Sequence, residues 1–333
     1  MSNENTAVLK QNAPSSDMKE NIRKNDGLDD LFYHVDLQEA ESEHIASEPY
    51  SYWKSVFRVF IKNPASIVGL AILLFIIIGI IFFPFAVNPI YAESNVDIRN
   101  LAPSAEHLWG TDQIGRDLFL ISWQGAGKSL WLAIVESIIV LIIGTLAGLA
   151  WGYFKKMDWL FVEIYNLVSN VPSLLIYMLF SIIFTNAIPD CPTEVRLILS
   201  LTILGWLGLA LMIRNLVLII DNREYNVASK CLATPAHRIM FRNYLPYLLG
   251  VIVTEFSLII PNMVSSEVSL SYFGVGLPGD DISLGAIIEL GIKYYSLYPW
   301  QVLWPGFVLA LIILSFFMLG STFADALDPK KHR

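Results

Sequence analysis

Six long apolar blocks organise this chain, over about residues 66–87, 130–154, 159–184, 197–220, 246–266 and 301–323, with polar, charged or proline-bearing segments between them. About 20 apolar residues wound as a helix span the roughly 30 Å of a bilayer's hydrocarbon. Each block therefore predicts one transmembrane helix, and the chain reads as an all-α integral membrane protein. Ahead of the first block, Trp53, Val56, Phe57 and Phe60 recur at i, i+3, i+4 and i+7, while Lys54, Arg58 and Lys62 take other faces. This predicts an amphipathic helix over 50–63 that lies on an anionic leaflet, packs on its own protein, or does both. Asn63-Pro64 ends it. Residues 1–49 are polar and hold no short apolar run with a cleavage site, so they read as a mostly disordered tail and the first span as the insertion signal.

Within the blocks, Gly144, Gly148 and Gly152 recur every fourth residue and predict a flat stripe for close helix approach. Pro172 and Pro261 interrupt the third and fifth spans. Charged groups inside a bilayer cost on the order of 2.5–3.5 kcal/mol, so they face a bundle interior or a wet cavity. Glu136, the face formed by Glu163, Asn166 and Asn170, and the face formed by Glu255 and Asn262 are the candidates for a solute path. Hydrogen bonding between helices is the alternative for each, and Glu163 and Arg214, close to span ends, lean toward it.

The chain is 55% hydrophobic and 16% charged, with a mean hydropathy of +0.54, above the apolar share of soluble domains. Its formal charge of -8 belongs largely to residues 1–50, which hold eleven acidic and four basic residues. No clustered basic face remains to suggest nucleic acid. The span-flanking Lys and Arg sort twelve against five, which predicts both termini in the cytoplasm. Cys191 and Cys231 then fall on opposite sides and cannot pair with each other. The five histidines (His34, His44, His107, His237, His332) show no metal-ligand spacing and read as solvated or interfacial. The run Ser122–Ser129 carries Gly127-Lys128-Ser129 as a phosphate-binding loop would, but it lacks the first glycine and any preceding strand, so no ATP chemistry is expected from this chain.

The segment between the fourth and fifth spans reads as helix, corner, helix. Asp221 or Asn222 is expected to cap a helix over about 223–232. Thr234-Pro235 is expected to restart the chain as an N-cap followed by proline, and Pro246 to repeat the device at the fifth span. Tyr225, Ala228 and Leu232 form one ridge, with Ser229 and Ala233 small beside it, suited to a partner's groove.

At this segment the sequence resembles the permease subunits of ATP-binding-cassette importers, whose docking loop reads EAA, three residues, Gly, nine residues, I-x-L-P. Val227-Ala228-Ser229 takes the EAA place, Ala233 the glycine, Asn243 the isoleucine and Leu245-Pro246 the end. Val227 lacks the acid, with Glu224 one turn earlier; Ala233 takes positive φ less cheaply than glycine, which predicts a corner of different geometry. The motifs His107-Leu-Trp-Gly-Thr-Asp-Gln-Ile-Gly-Arg-Asp-Leu118, Asn170-Val-Pro-Ser-Leu174, Glu267–Leu277 and Ala324–Pro329 resemble the C-type permease of oligopeptide and dipeptide transporters, and the entry segment Tyr50-Ser-Tyr-Trp-Lys54 resembles the versions of Gram-positive bacteria. The likeness covers about residues 50–333.

The resemblance implies a type I importer permease fold over 64–333 in a bacterial plasma membrane, with both termini cytoplasmic. It implies a B-type permease partner, two cytoplasmic ATPase subunits, an extracytoplasmic peptide-binding lipoprotein, and contact with membrane lipids. ATP and Mg would be used by the partners, with no cofactor on this chain. Docking would fall to Glu224, Tyr225, Ala228, Ser229, Leu232, Ala233, Thr234 and Pro235 in the loop 221–245; the path candidates are Glu136, Asn166, Asn170, Glu255 and Asn262. Oligopeptide is the solute implied, with dipeptides or nickel chelates as alternatives. A self-sufficient carrier or channel, or a membrane enzyme using Glu136 or Glu255, would instead act without an ATPase.

Overall fold

The computed structural model describes residues 52–86, 93–277 and 282–327. The tail over 1–49 and the chain end from residue 328, with most of the Ala324–Pro329 motif's second half, lie outside these residues. Eleven α-helices are described: α1 (Tyr52–Lys62), α2 (Pro64–Ala86), α3 (Leu118–Tyr153), α4 (Asp158–Ser169), α5 (Ser173–Ala187), α6 (Thr193–Asp221), α7 (Glu224–Cys231), α8 (Ala236–Ile239), α9 (Leu245–Tyr272), α10 (Leu284–Ile292) and α11 (Trp300–Leu327). Five helical stretches are long and apolar enough to cross a membrane, and a sixth crossing is made if α4 and α5, bent by 92° at their junction, count as one span.

The bend follows from Pro172, which sits as the N-cap of α5 and lacks the N–H that would continue α4. The third span is therefore an elbow and not a rod. The second span also differs from its expected start. α3 begins at Leu118, twelve residues before the apolar block, because the Asp117 carboxylate accepts from Leu120 N–H at 3.0 Å and caps the helix there. The glycine-lysine run Ser122–Ser129 thus lies inside a helix, with Gly125 against the Ser283–Leu284 backbone and Gly127 facing Ile80.

α3 and α6 run parallel and share the most extensive helix contact. An added Cβ on Gly144 would meet Leu209, on Gly148 Ile213, and on Gly152 Val217, each at under 3.0 Å and each 65 positions later in the chain. The glycine stripe lets the two backbones approach where any side chain would hold them apart. Around this pair one apolar cluster gathers Val140, Leu209, Ile213, Val217, Ile252, Ile259, Met263, Val308 and Ile312, joining α3, α6, α9 and α11. α2 turns Ile67, Leu74, Phe82 and Phe85 outward, as expected of a helix bathed in lipid.

α1 does pack on its own protein. Val56 is buried and Phe60 meets Phe323 of α11 edge to face at 5.8 Å, while Phe57 and Ile61 stay more than half exposed. The Asn63 side chain accepts from Ala65 N–H at 3.0 Å, so the break at Asn63-Pro64 also caps α2.

Candidate functional site

The segment joining α6 to α9 is built around two features. The first is the corner after α7. Ala233 N–H donates to Lys230 C=O at 2.9 Å and Thr234 N–H to Ser229 C=O at 3.1 Å, with Ala233 at φ +54. These paired bonds form a Schellman motif, the standard glycine-type helix end. The alanine therefore does not change the corner; it occupies the same left-handed position at a steric cost. The caps differ from expectation. Arg223 is the N-cap of α7, with no side-chain bond, and Pro235 itself is the N-cap of α8. Nor does Pro246 restart the chain: α8 runs through a π-turn over Met240–Tyr244 directly into α9, Leu245 N–H reaching back to Met240 C=O. The widened turn sits just ahead of a proline that has no N–H for the usual ladder.

The second feature is what the backs of these helices touch. Asp221 is buried at 4% exposure. Its carboxylate accepts from the Tyr244 hydroxyl and the Lys230 ammonium, and lies 3.4 Å from Lys155 Nζ. Lys230 Nζ also stands 5.3 Å from the ring centre of Tyr153. Beside this group, Asn226 is fully buried, donating to Ile220 C=O at 2.8 Å and accepting from Asn243 Nδ2 at 2.9 Å. Sequence reasoning gave Asp221 only a capping role and did not foresee this polar group. The usable signal was the i, i+4 spacing of Asn226 and Lys230 on the face of α7 opposite the ridge.

The ridge itself is open. Tyr225 is 52% and Leu232 81% exposed, with Glu224, Ala228 and Pro235 exposed beside them. Thr234 is half-buried, as is Ser229, whose hydroxyl donates to Tyr225 C=O at 2.7 Å.

The path candidates are scattered. Asn166 and Asn170 are exposed at the elbow, Asn170 Nδ2 donating to Asn166 C=O at 2.6 Å. A cavity of about 400 Å³ opens there, lined by Tyr165, Ser169, Pro172, Tyr177, Gly205 and Gly208 among others. On α9, Glu255 is half-buried and Asn262 exposed, donating to Leu258 C=O at 3.0 Å. Glu136 is 2% exposed inside the bundle. Glu163 is exposed, and Arg214 takes the interhelix role, pairing with Asp158 through Nε at 2.9 Å and Nη2 at 2.5 Å.

A buried carboxylate that spacing did not single out is Glu267 of α9. It accepts from Ser129 at 3.1 Å, Ser271 at 3.1 Å and Ser283 at 2.9 Å, tying α9 to α3 and to the cap of α10. At the same end of the bundle, residues 107–118 form a self-bracing knot. His107 is buried, correcting the solvated reading, and its Nδ1 bonds the Asp117 carboxylate at 2.8 Å. Asp112 accepts from Arg116 Nε at 2.7 Å, Leu118 N–H donates to Gly110 C=O at 3.0 Å, and Trp109 stacks on Trp304 with ring centres 5.1 Å apart. Gly115 stands at φ +86, where a Cβ would strike the Asn95 carbonyl. This motif shapes the start of α3 and offers no reactive constellation. A second cavity, about 470 Å³, lies nearby, lined by Thr185, Asn186, Arg196, Ser271 and Glu289 among others.

Comparison with known proteins gives two family matches. Residues 140–333 match the binding-protein-dependent transport system inner membrane component, and residues 51–103 the N-terminal TM domain of oligopeptide transport permease C. The chain is 37% identical over 306 residues to the oligopeptide transport system permease protein AmiD of Streptococcus pneumoniae, covering 91% of this chain and 97% of that one. It is 30% identical to the oligopeptide transport system permease protein OppC of Bacillus subtilis over 93% of this chain and 99% of the relative. With the dipeptide transport system permease protein DppC of the same organism it shares 31% over 96% and 98% of the two chains.

Proposed function

Because this chain belongs to the binding-protein-dependent inner-membrane transport components, of the oligopeptide permease C kind, we propose that it forms half of the membrane path of an ATP-driven oligopeptide importer. It is a multi-pass permease subunit and not the ATPase, and its class works with an ATPase and a solute-binding protein. In the proposed assembly the other half of the path is a B-type permease, two ATPase subunits dock on the segment 224–235 from the cytoplasm, and an extracytoplasmic lipoprotein delivers peptide. The twelve-to-five sorting of flanking Lys and Arg supports cytoplasmic termini.

The observation that carries the docking assignment is the open ridge of Tyr225, Ala228 and Leu232, held on a fixed corner and continuous through the π-turn with α9. In this reading, ATP-driven closure of the ATPases moves α7 and α8, and α9 passes the motion to the face bearing Glu255 and Asn262. Asn166 and Asn170 at the elbow are the remaining open path candidates, and Glu136 enters only if the bundle opens.

The test is purification of the assembly in mild detergent with mass spectrometry of its parts, beside the Ala228→Arg variant. A second six-span subunit and two ATPases are expected with the parent chain, and loss of ATP-dependent uptake with the variant. Normal uptake by Ala228→Arg overturns the docking assignment. Competition between dipeptides and longer peptides for uptake decides peptide length, on which relatives named for each stand at similar identity.

A further inference from the structure

We infer that Asp221 is a positioning residue that makes the docking segment move as one block with the spans, so that it is needed for coupling and not for docking. The inference rests on the docking reading above. Five pieces of chain converge on this carboxylate or its immediate partners. Asp221 is the last residue of α6; Lys230 belongs to α7; Tyr244 closes the π-turn into α9; Lys155 lies in the turn after α3; and Tyr153, beneath the Lys230 ammonium, ends α3. The neighbouring Asn226 fastens α7 to the Ile220 carbonyl and to Asn243.

Helix α7 has only eight residues and turns its ridge toward solvent. An isolated helix of that length is not stable in water, and its apolar ridge cannot hold it to the protein, because that ridge faces away. Its attachment is therefore polar. Asp221, Lys230 and Asn226 are the groups that make it, in a site where water competes weakly for the bonds. A force on the ridge reaches α6 through Asp221 and α9 through Tyr244. Without the carboxylate the force would bend α7 at Asn222–Arg223 and at the Ala233 corner, leaving the spans where they were.

The test uses the full importer in proteoliposomes with Asp221→Asn, reading three quantities: ATPase subunits retained, ATP hydrolysed, and peptide taken up. Retained ATPases with an at least tenfold rise in ATP hydrolysed per peptide delivered is the expected result. An unchanged ratio overturns the inference, and so does loss of the ATPases, which would make Asp221 part of docking. If Asp221→Asn fails to accumulate, Tyr244→Phe decides, since it keeps the buried ring and removes one hydroxyl: a rise of about threefold supports the inference and no rise overturns it. A separate readout uses spin labels on the exposed Cys231 and on Tyr247→Cys, in a Cys191→Ser background. One distance with and without ATP in the parent, and a broadened one in Asp221→Asn, is expected; identical distributions overturn it. Failure of the parent to retain ATPases would instead strike the docking reading itself.

Discussion

Replacing Ala233 with glycine isolates the strain held at the corner between α7 and α8. At φ +54 the alanine Cβ crowds the backbone at a cost of about 1–2 kcal/mol. Glycine removes that cost and gives back about 0.5–1 kcal/mol, because its unfolded backbone has more freedom to lose. Roughly 0.7 kcal/mol remains in favour of glycine, or about threefold in the equilibrium for closing this turn, since about 1.4 kcal/mol is tenfold. Ala233 is exposed, so loss of packing on removing its Cβ contributes little to the comparison. Hydrogen exchange with mass spectrometry on the intact chain reads the turn through peptides covering 229–235, whose amides at 233 and 234 close the motif. After correction for intrinsic rates, these amides are expected to exchange about threefold more slowly in Ala233→Gly and faster in Ala233→Val, where a β-branched residue at positive φ is an outlier. Faster or unchanged exchange in the glycine variant refutes the strain argument.

Other perturbations address the bundle. Gly148→Leu forces a side chain against Ile213 and the Ala210 carbonyl; a loss of at least about 1–3 kcal/mol, seen as a lower melting temperature in detergent, is expected, and an unchanged one would show that the helices are not in this contact. Glu267→Ala leaves three serine hydroxyls without their acceptor, at about 1–3 kcal/mol for each group left unsatisfied. Glu267→Gln, which keeps one acceptor oxygen, is expected to melt measurably higher than Glu267→Ala, and equal melting would sink the network's role. For His107 and Asp117, a double-mutant cycle of alanine variants is expected to give a coupling of about 0.5–3 kcal/mol, and additivity would deny the bond.

The long apolar spans, the glycine stripe and the ridge of α7 were legible because each is a periodic pattern within one element. The early start of α3 was not, since it depends on one capping aspartate and on the burial of Leu118 and Ile121 against Trp109 and Ile287 from distant parts of the chain. The hub around Asp221 escaped for a different reason: its members come from five separate pieces of chain, and nothing local marks an aspartate at a span end as buried. Ala233 shows the converse case, in which a substitution that looked disruptive was absorbed because the surrounding hydrogen bonds dictate the backbone. Glu136 was rightly seen as an interior charge, but spacing alone does not distinguish a sealed interior from an open path.

The parallel contact of α3 with α6 carries a consequence for the order in which the protein is made. Two neighbouring spans that run the same way cannot be consecutive, so the elbow of α4 and α5 must be laid down between them. At roughly 5–20 residues per second, the glycine stripe of α3 waits some seconds in the membrane before α6 arrives to cover it. During that interval α3 holds a narrow groove open to whatever helix is nearest, and a slow-down of synthesis between Tyr153 and Asp221 would lengthen its exposure to the wrong one.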